Sequence, residues 1–422
     1  MRRFSTNRSG RVLLSLALFL LVGAGLAVGG VYLWTEQQLR AARQALETDD
    51  FETAQRCLDR FLELRPNNAD ALFLAARTAR RRGAEEIADQ NLKACERQEG
   101  GSDRIVLERG MLAAQRGALT QVLERSLRAR VDRNHPDSFL IMEAMARGYL
   151  HAKRLAETGP ALNKLLERAP DHFQGHMWRA ENHENSGEYV EALPDYEEAV
   201  RIRPGSNEAR LHLANMLYRV GRQREAVGHF ELLRQRDPNK QVLLGLAKCR
   251  YDAHQLDEAR QLLDAALAQD PKYVRALVER GRIAFRLGDA VEAEEWLQKA
   301  IAESPHDRES HLMLYRYLAA QNKKEAADKV LARLDEIDRG TLRSLNLLMR
   351  IMEVPGDPEP RYQIGILMLQ LGREDEGVNW LLTALIQDPN HGPSHAALAD
   401  YFERKGQPEL AAAHRPPQGS PY

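Results

Sequence analysis

The chain has 422 residues, too many for one compact core and suited to several domains or one long repeat array. Its 60 Lys and Arg balance 61 Asp and Glu, a net charge of −1, which leaves no whole-chain case for nucleic-acid binding. The three cysteines, Cys57, Cys95 and Cys249, have no CxxC spacing, which argues against a disulfide framework or zinc knuckle; each falls on an apolar helix face and reads as a buried free thiol.

Residues 1–11, MRRFSTNRSGR, form a basic N-terminus with Arg2, Arg3, Arg8, Arg11 and no acid. Residues 12–34 carry no charge, and a helix of that length, rising about 1.5 Å per residue, spans a hydrocarbon core of about 30 Å. Tyr32 and Trp34 stand where interfacial aromatic anchors are expected. The arginine bias puts the N-terminus in the cytoplasm and everything after residue 34 outside it. The expectation is an uncleaved signal anchor of a single-pass protein, with a bacterial inner membrane best suiting the export orientation and Arg-rich composition. A signal peptide cleaved at the AVG of residues 27–29 is the competing reading. Gly25 and Gly29 form a GxxxG pair, which is the expected basis of any weak homodimer.

From residue 35 the chain turns polar and periodic. Pro136, Pro170, Pro204, Pro238, Pro271 and Pro305 are separated by 34, 34, 34, 33 and 34 residues. A fixed period in this range marks a repeat architecture. In the period Asn207–Lys240, one helical stripe holds Leu213, Ala214 and Leu217, and a second holds Ala226, Phe230 and Leu233. Gly221 supplies the turn between them and Pro238 ends the second helix. Small residues return at the eighth place of the unit (Ala42, Ala76, Ala146, Ala180, Ala214, Ala247, Gly281, Gly365) and at the twentieth (Ala54, Ala88, Ala192, Ala226, Ala259, Ala293, Ala327). Larger side chains there would hold the helices of a hairpin apart. Tyr196, Phe230, Leu263 and Leu297 fill the twenty-fourth place.

These landmarks resemble the tetratricopeptide repeat, across nearly all of residues 35–415 and most strongly across 139–307. The resemblance implies an all-α fold: a helix–turn–helix solenoid, a right-handed superhelix here preceded by one transmembrane helix. About nine units are expected over residues 35–341. Residues 342–357, where the proline landmark is replaced by Arg339, are expected to be an irregular helix and linker. Residues 358–414 are read as a C-terminal unit with a capping helix, and 415–422 as a disordered tail.

No P-loop, GxSxG, HExxH or strand-borne GxGxxG motif is present, so no enzyme and no cofactor are expected. The one cluster with metal-ligating chemistry is His172, His176 and His183, which fall on one helix face. It offers the alternative of a metal-dependent enzyme or enzyme accessory protein, although His176 and His183 stand at places where the family keeps packing residues. A helical-repeat nucleic-acid binder is the third reading; neutral charge and lack of stacking aromatics oppose it. The resemblance implies that partners dock in a concave groove lined by the first helix of each unit, through the second, fifth, sixth, ninth, twelfth and thirteenth places. The groove candidates are Arg147, Glu181, Asn215, Lys248, Arg282 and Arg316 at the ninth place, with Arg219 and Arg286 at the thirteenth. They imply a membrane-anchored scaffold for proteins of an envelope complex, binding a peptide that carries an acidic segment.

Overall fold

A computed structural model describes residues 29–415. Every element is helical; among the described residues there is no strand. The chain divides into two compact units, Met1–Ser186 and Gly187–Tyr422.

Unit 1 contains α1 (residues 29–47), α2 (Phe51–Leu64), α3 (Ala69–Arg82), α4 (Glu85–Glu99), α5 (Asp103–Gln115), α6 (Gln121–Asp132), α7 (Ser138–His151), α8 (Leu155–Arg168) and α9 (Phe173–Asn185). The local signals act as capping chemistry predicts. Asn68 accepts the Ala71 N–H to start α3, and Gly83, in the left-handed region at φ +82°, ends it. Between those caps Ala71, Ala75, Ala76 and Ala79 are fully buried, so neighbouring backbones come close. A very close approach is between α5 and α7. There Gly148 leaves so little room that an added Cβ would lie 2.1 Å from the Ala114 carbonyl oxygen.

Unit 2 contains α10 (Tyr189–Ile202), α11 (Asn207–Arg219), α12 (Gln223–Arg236), α13 (Lys240–Asp252), α14 (Leu256–Gln269), α15 (Val274–Leu287), α16 (Ala290–Glu303), α17 (Arg308–Ala320), α18 (Lys324–Glu353), α19 (Glu359–Gln370), α20 (Glu374–Gln387), α21 (Gly392–Arg404) and α22 (Pro408–Ala413). In the α11–α12 hairpin Leu213, Ala214, Leu217, Ala226, Phe230 and Leu233 are all buried, and Gly221 takes the turn at φ +83°. Phe230 fills the space above Gly245 of α13, so that it seals the contact between successive hairpins. Burying such a ring contributes on the order of 2–3 kcal/mol. One hairpin cannot cover its own apolar face, and its neighbour completes it.

One sequence boundary moves. Residues 324–353 form one 30-residue helix, so the expected break at 341 and irregular segment from 342 lie in mid-helix. With no proline or capping turn near Arg339, nothing stops α18. Its first half packs Ala327 into the same core as α17, and its second half packs Leu347 against Ile364, Leu367 and Met368 of α19. At the other end, residues 12–28 of the expected anchor lie outside the described residues, as do Gly25 and the tail 416–422. Residues 29–34 are the start of α1, which runs on through Trp34 to residue 47. Tyr32 there lies beneath the Arg65 guanidinium, 4.3 Å from the ring centre. Among the described residues no helix is long and apolar enough to cross a membrane. Of the cysteines, Cys95 and Cys249 are buried free thiols, whereas Cys57 is half-buried.

Candidate functional site

Successive first helices carry their polar places toward one another, and in unit 1 these places are filled by a ladder of ion pairs. On α3, Arg77, Arg80 and Arg81 take the ninth, twelfth and thirteenth places of their repeat. Arg80 Nε donates to Glu108 of α5 at 2.5 Å, with both side chains almost wholly excluded from solvent. Arg77 Nε donates to the other oxygen of Glu108 at 3.1 Å, and its terminal nitrogens grip Asp137 ahead of α7. Arg81 donates twice to Glu143 of α7 and pairs with Asp49 at 2.7 Å. His172, ahead of α9, brings Nε2 to 3.4 Å from Glu143. Ion pairs between groups this well excluded from water hold only because each acid has several donors.

Glu143 shows the balance. Burial favours its neutral form, but the His172 and Arg81 hydrogen bonds and the Arg81 and Arg80 charges outweigh that and hold its pKa at about 2. A carboxylate whose folded pKa lies below its unfolded value of about 4.5 stabilises the fold above that value. The contribution is lost as pH falls toward the folded pKa. The thermal midpoint advantage of the native chain over Glu143→Gln is therefore expected to be full at neutral pH. It should shrink below about pH 4.5 and be largely gone near pH 2. Melting curves of both proteins over that range check this.

The groove candidates are placed as follows. Arg147 on α7 is half-buried, its guanidinium against Gly83, where an added Cβ would lie 2.7 Å from Nη2. Burial lowers its pKa. Glu181 on α9 is exposed. In unit 2, Asn215 is half-buried, and the exposed Arg219 lies 4.9 Å from the Tyr189 ring centre. Lys248 of α13 and Arg282 of α15 converge on one acid, the buried Glu279, at 3.5 and 3.3 Å; Arg282 also reaches Glu309 at 2.8 Å. These two are therefore not free cations. Arg286 and Arg316 are exposed, with no ion pair among the described residues.

Arg77, Arg80 and Arg81 were not among the sequence candidates. The signal was available: Ala76 at the eighth place puts Arg77 at the ninth, and ARTARRR is the most basic run in the repeats. Glu279, at the sixth place beside Arg282, was equally legible.

The histidine cluster does not form a metal site. His172 accepts the Gly175 N–H as an N-cap. His176 Nε2 donates to the Pro170 carbonyl at 2.7 Å instead of turning toward His172. Among the described residues no group of His, Cys, Asp or Glu could hold a metal ion. The His176 bond is a repeated device. Arg210 reaches the Pro204 carbonyl at 2.9 Å, and His311 and His395 reach those of Pro305 and Pro389 at 3.0 Å, each across six residues. The fourth-place side chain thus satisfies a carbonyl in the loop between hairpins.

A cavity in unit 1, about 490 Å³, is open to solvent and bordered by Asp49, Arg81, Phe139, Pro170 and His172. It lacks the enclosed apolar walls of a small-molecule site.

Stacked helical hairpins with polar first-helix faces define a helical-repeat protein of the kind that mediates protein–protein interaction. Tetratricopeptide repeat models match residues 39–102, 144–207, 186–241, 244–308 and 284–351, more than half of the chain, and the chain belongs to that family. It is 28% identical over 131 residues to the CTR9 homolog of Arabidopsis thaliana, covering 31% of this chain and 9% of that protein. It is 26% identical over 242 residues to anaphase-promoting complex subunit 7 of Mus musculus, covering 56% and 42%. The chain thus spans less than half the length of these curated relatives. Among solved structures it is similar to PilW, described as a type IV pilus biogenesis factor, with 20% identity, a TM-score of 0.42 and coverage of 47% and 92%.

Proposed function

We propose that the chain is a non-enzymatic scaffold that docks an extended or helical protein segment along the first-helix faces of its hairpins. Residues 12–34 tether it to a membrane, and the repeats stand outside the cytoplasm, where they hold together proteins of an envelope complex. The observation that carries the scaffold reading is that first helices offer polar strips that recur with the repeat. The free cations for an acidic partner segment are Arg286 and Arg316. Lys248 and Arg282 position Glu279 between them, so the surface they make is mixed rather than basic.

A variant carrying Arg286→Glu and Arg316→Glu tests the binding surface. Both side chains are exposed and unpaired, so the fold is expected to survive. Each exposed pair contributes only about 0–1 kcal/mol, so both are reversed together. Pull-downs from membranes should recover less partner, with a weaker dependence on salt; unchanged recovery overturns the role of these residues. Tethering has a separate test. A reporter active only outside the cytoplasm, fused after Tyr401, should be active, and activity of a cytoplasm-only reporter overturns the orientation.

A further inference from the structure

The second half of α18 leaves an apolar stripe uncovered. Leu342, Leu345 and Met349 are 60, 53 and 54% exposed, while Leu347 on the opposite side is buried against α19. The spacing 342, 345, 349 alternates three and four residues, which is the period of a seam between two packed helices. Its covering is therefore expected to be another helix. Residues 339–352 include Arg339, Arg343 and Arg350 and no acid, and Glu353 follows directly. Arg339 bonds only the Asp335 backbone carbonyl, and Glu353 is exposed without an ion pair among the described residues.

We infer that this stripe is a docking surface for a second copy of the same chain, with the two α18 helices antiparallel. Self-complementarity selects that occupant. If Leu345 of each copy packs against Met349 of the other, the two-fold axis lies beside position 347. The row on one side of the seam then sets Arg339 of each copy opposite Glu353 of the other, twice by symmetry, and the row on the other side sets Leu348 opposite its own counterpart. A parallel pairing in the same seam sets Arg339 opposite Leu334 and Glu353 opposite Leu348, leaving both charges unmatched. The stripe holds its cation and its anion at the separation that only the antiparallel arrangement uses. Asp338, held by Arg308 at 2.7 Å, closes the seam at one end. The contact is thus about three turns, roughly 18 Å long, and makes a dimer that dissociates on dilution.

Sedimentation velocity of the full-length chain in mild detergent, over a concentration series, reads this directly. The dimer fraction should rise with concentration. Leu345→Glu should abolish it while helicity is unchanged, since the side chain is exposed. Arg339→Glu and Glu353→Arg should each weaken association by about tenfold, because each reversal acts twice in the dimer. The two changes together should restore it. A chain that is monomeric at every concentration overturns the inference. So does a dimer indifferent to Leu345→Glu, which would place the contact elsewhere. Failure of the double reversal to recover association overturns the antiparallel register. Vesicle binding lost with Leu345→Glu but unaffected by Arg339→Glu would assign the stripe to a lipid surface instead.

Discussion

Glu108→Ala should be the most damaging single change in unit 1, costing about 3–5 kcal/mol. Its carboxylate is fully excluded from solvent and takes hydrogen bonds from both Arg80 and Arg77. Without it, Arg80 keeps only the Gln115 side-chain oxygen, at 2.7 Å, and already has one nitrogen, Nη2, with no partner. A guanidinium cannot shed its proton to escape, so its charge would be stranded in the stack. Removing both members, as Arg80→Met with Glu108→Leu, should cost much less, because no charge is left behind. Hydrogen exchange is the suitable measurement, since repeats contact mainly their neighbours. Protection should fall in α3, α5 and α7 and persist in α15. Equal losses for the single and the double variant would show that packing volume, not the stranded charge, sets the cost.

Gly148→Ala should also destabilise, by about 1–3 kcal/mol, although glycine to alanine inside a helix ordinarily gains about 1 kcal/mol. The clash decides the sign. The new Cβ would meet Ala114 oxygen at 2.1 Å and Ala114 carbon at 2.8 Å, both backbone atoms of the facing helix. They cannot swing aside as a side-chain tip can, so α5 and α7 must separate. Gly228, inside α12, has nothing within 4 Å of its would-be Cβ. Gly228→Ala should therefore stabilise by about 0.5–1 kcal/mol. Denaturant midpoints of the two variants should move in opposite directions, and a gain for Gly148→Ala would mean that the two helices are not held at this distance.

The sequence by itself determined the hairpin, because its causes are local. Gly221 turns the chain at positive φ, the prolines end helices at a fixed interval, and Ala214 and Ala226 mark where backbones must approach. It also determined which face of each first helix is polar, since that follows from 3.6-residue periodicity alone. Only the tertiary structure decided what those polar side chains do. Arg81 finds Glu143 across 62 residues, Lys248 and Arg282 share Glu279, and His176 turns to a loop carbonyl rather than toward His172. Register places a charge on a face, but a long side chain can reach several acids, and the distances between helices choose among them. The same holds for α18. The missing proline at Arg339 told the sequence that the pattern breaks there, while packing of Leu347 on α19 decided that the helix continues. Local chemistry sets where a helix has reason to stop, and burial against a neighbour sets how far it runs when no such reason exists.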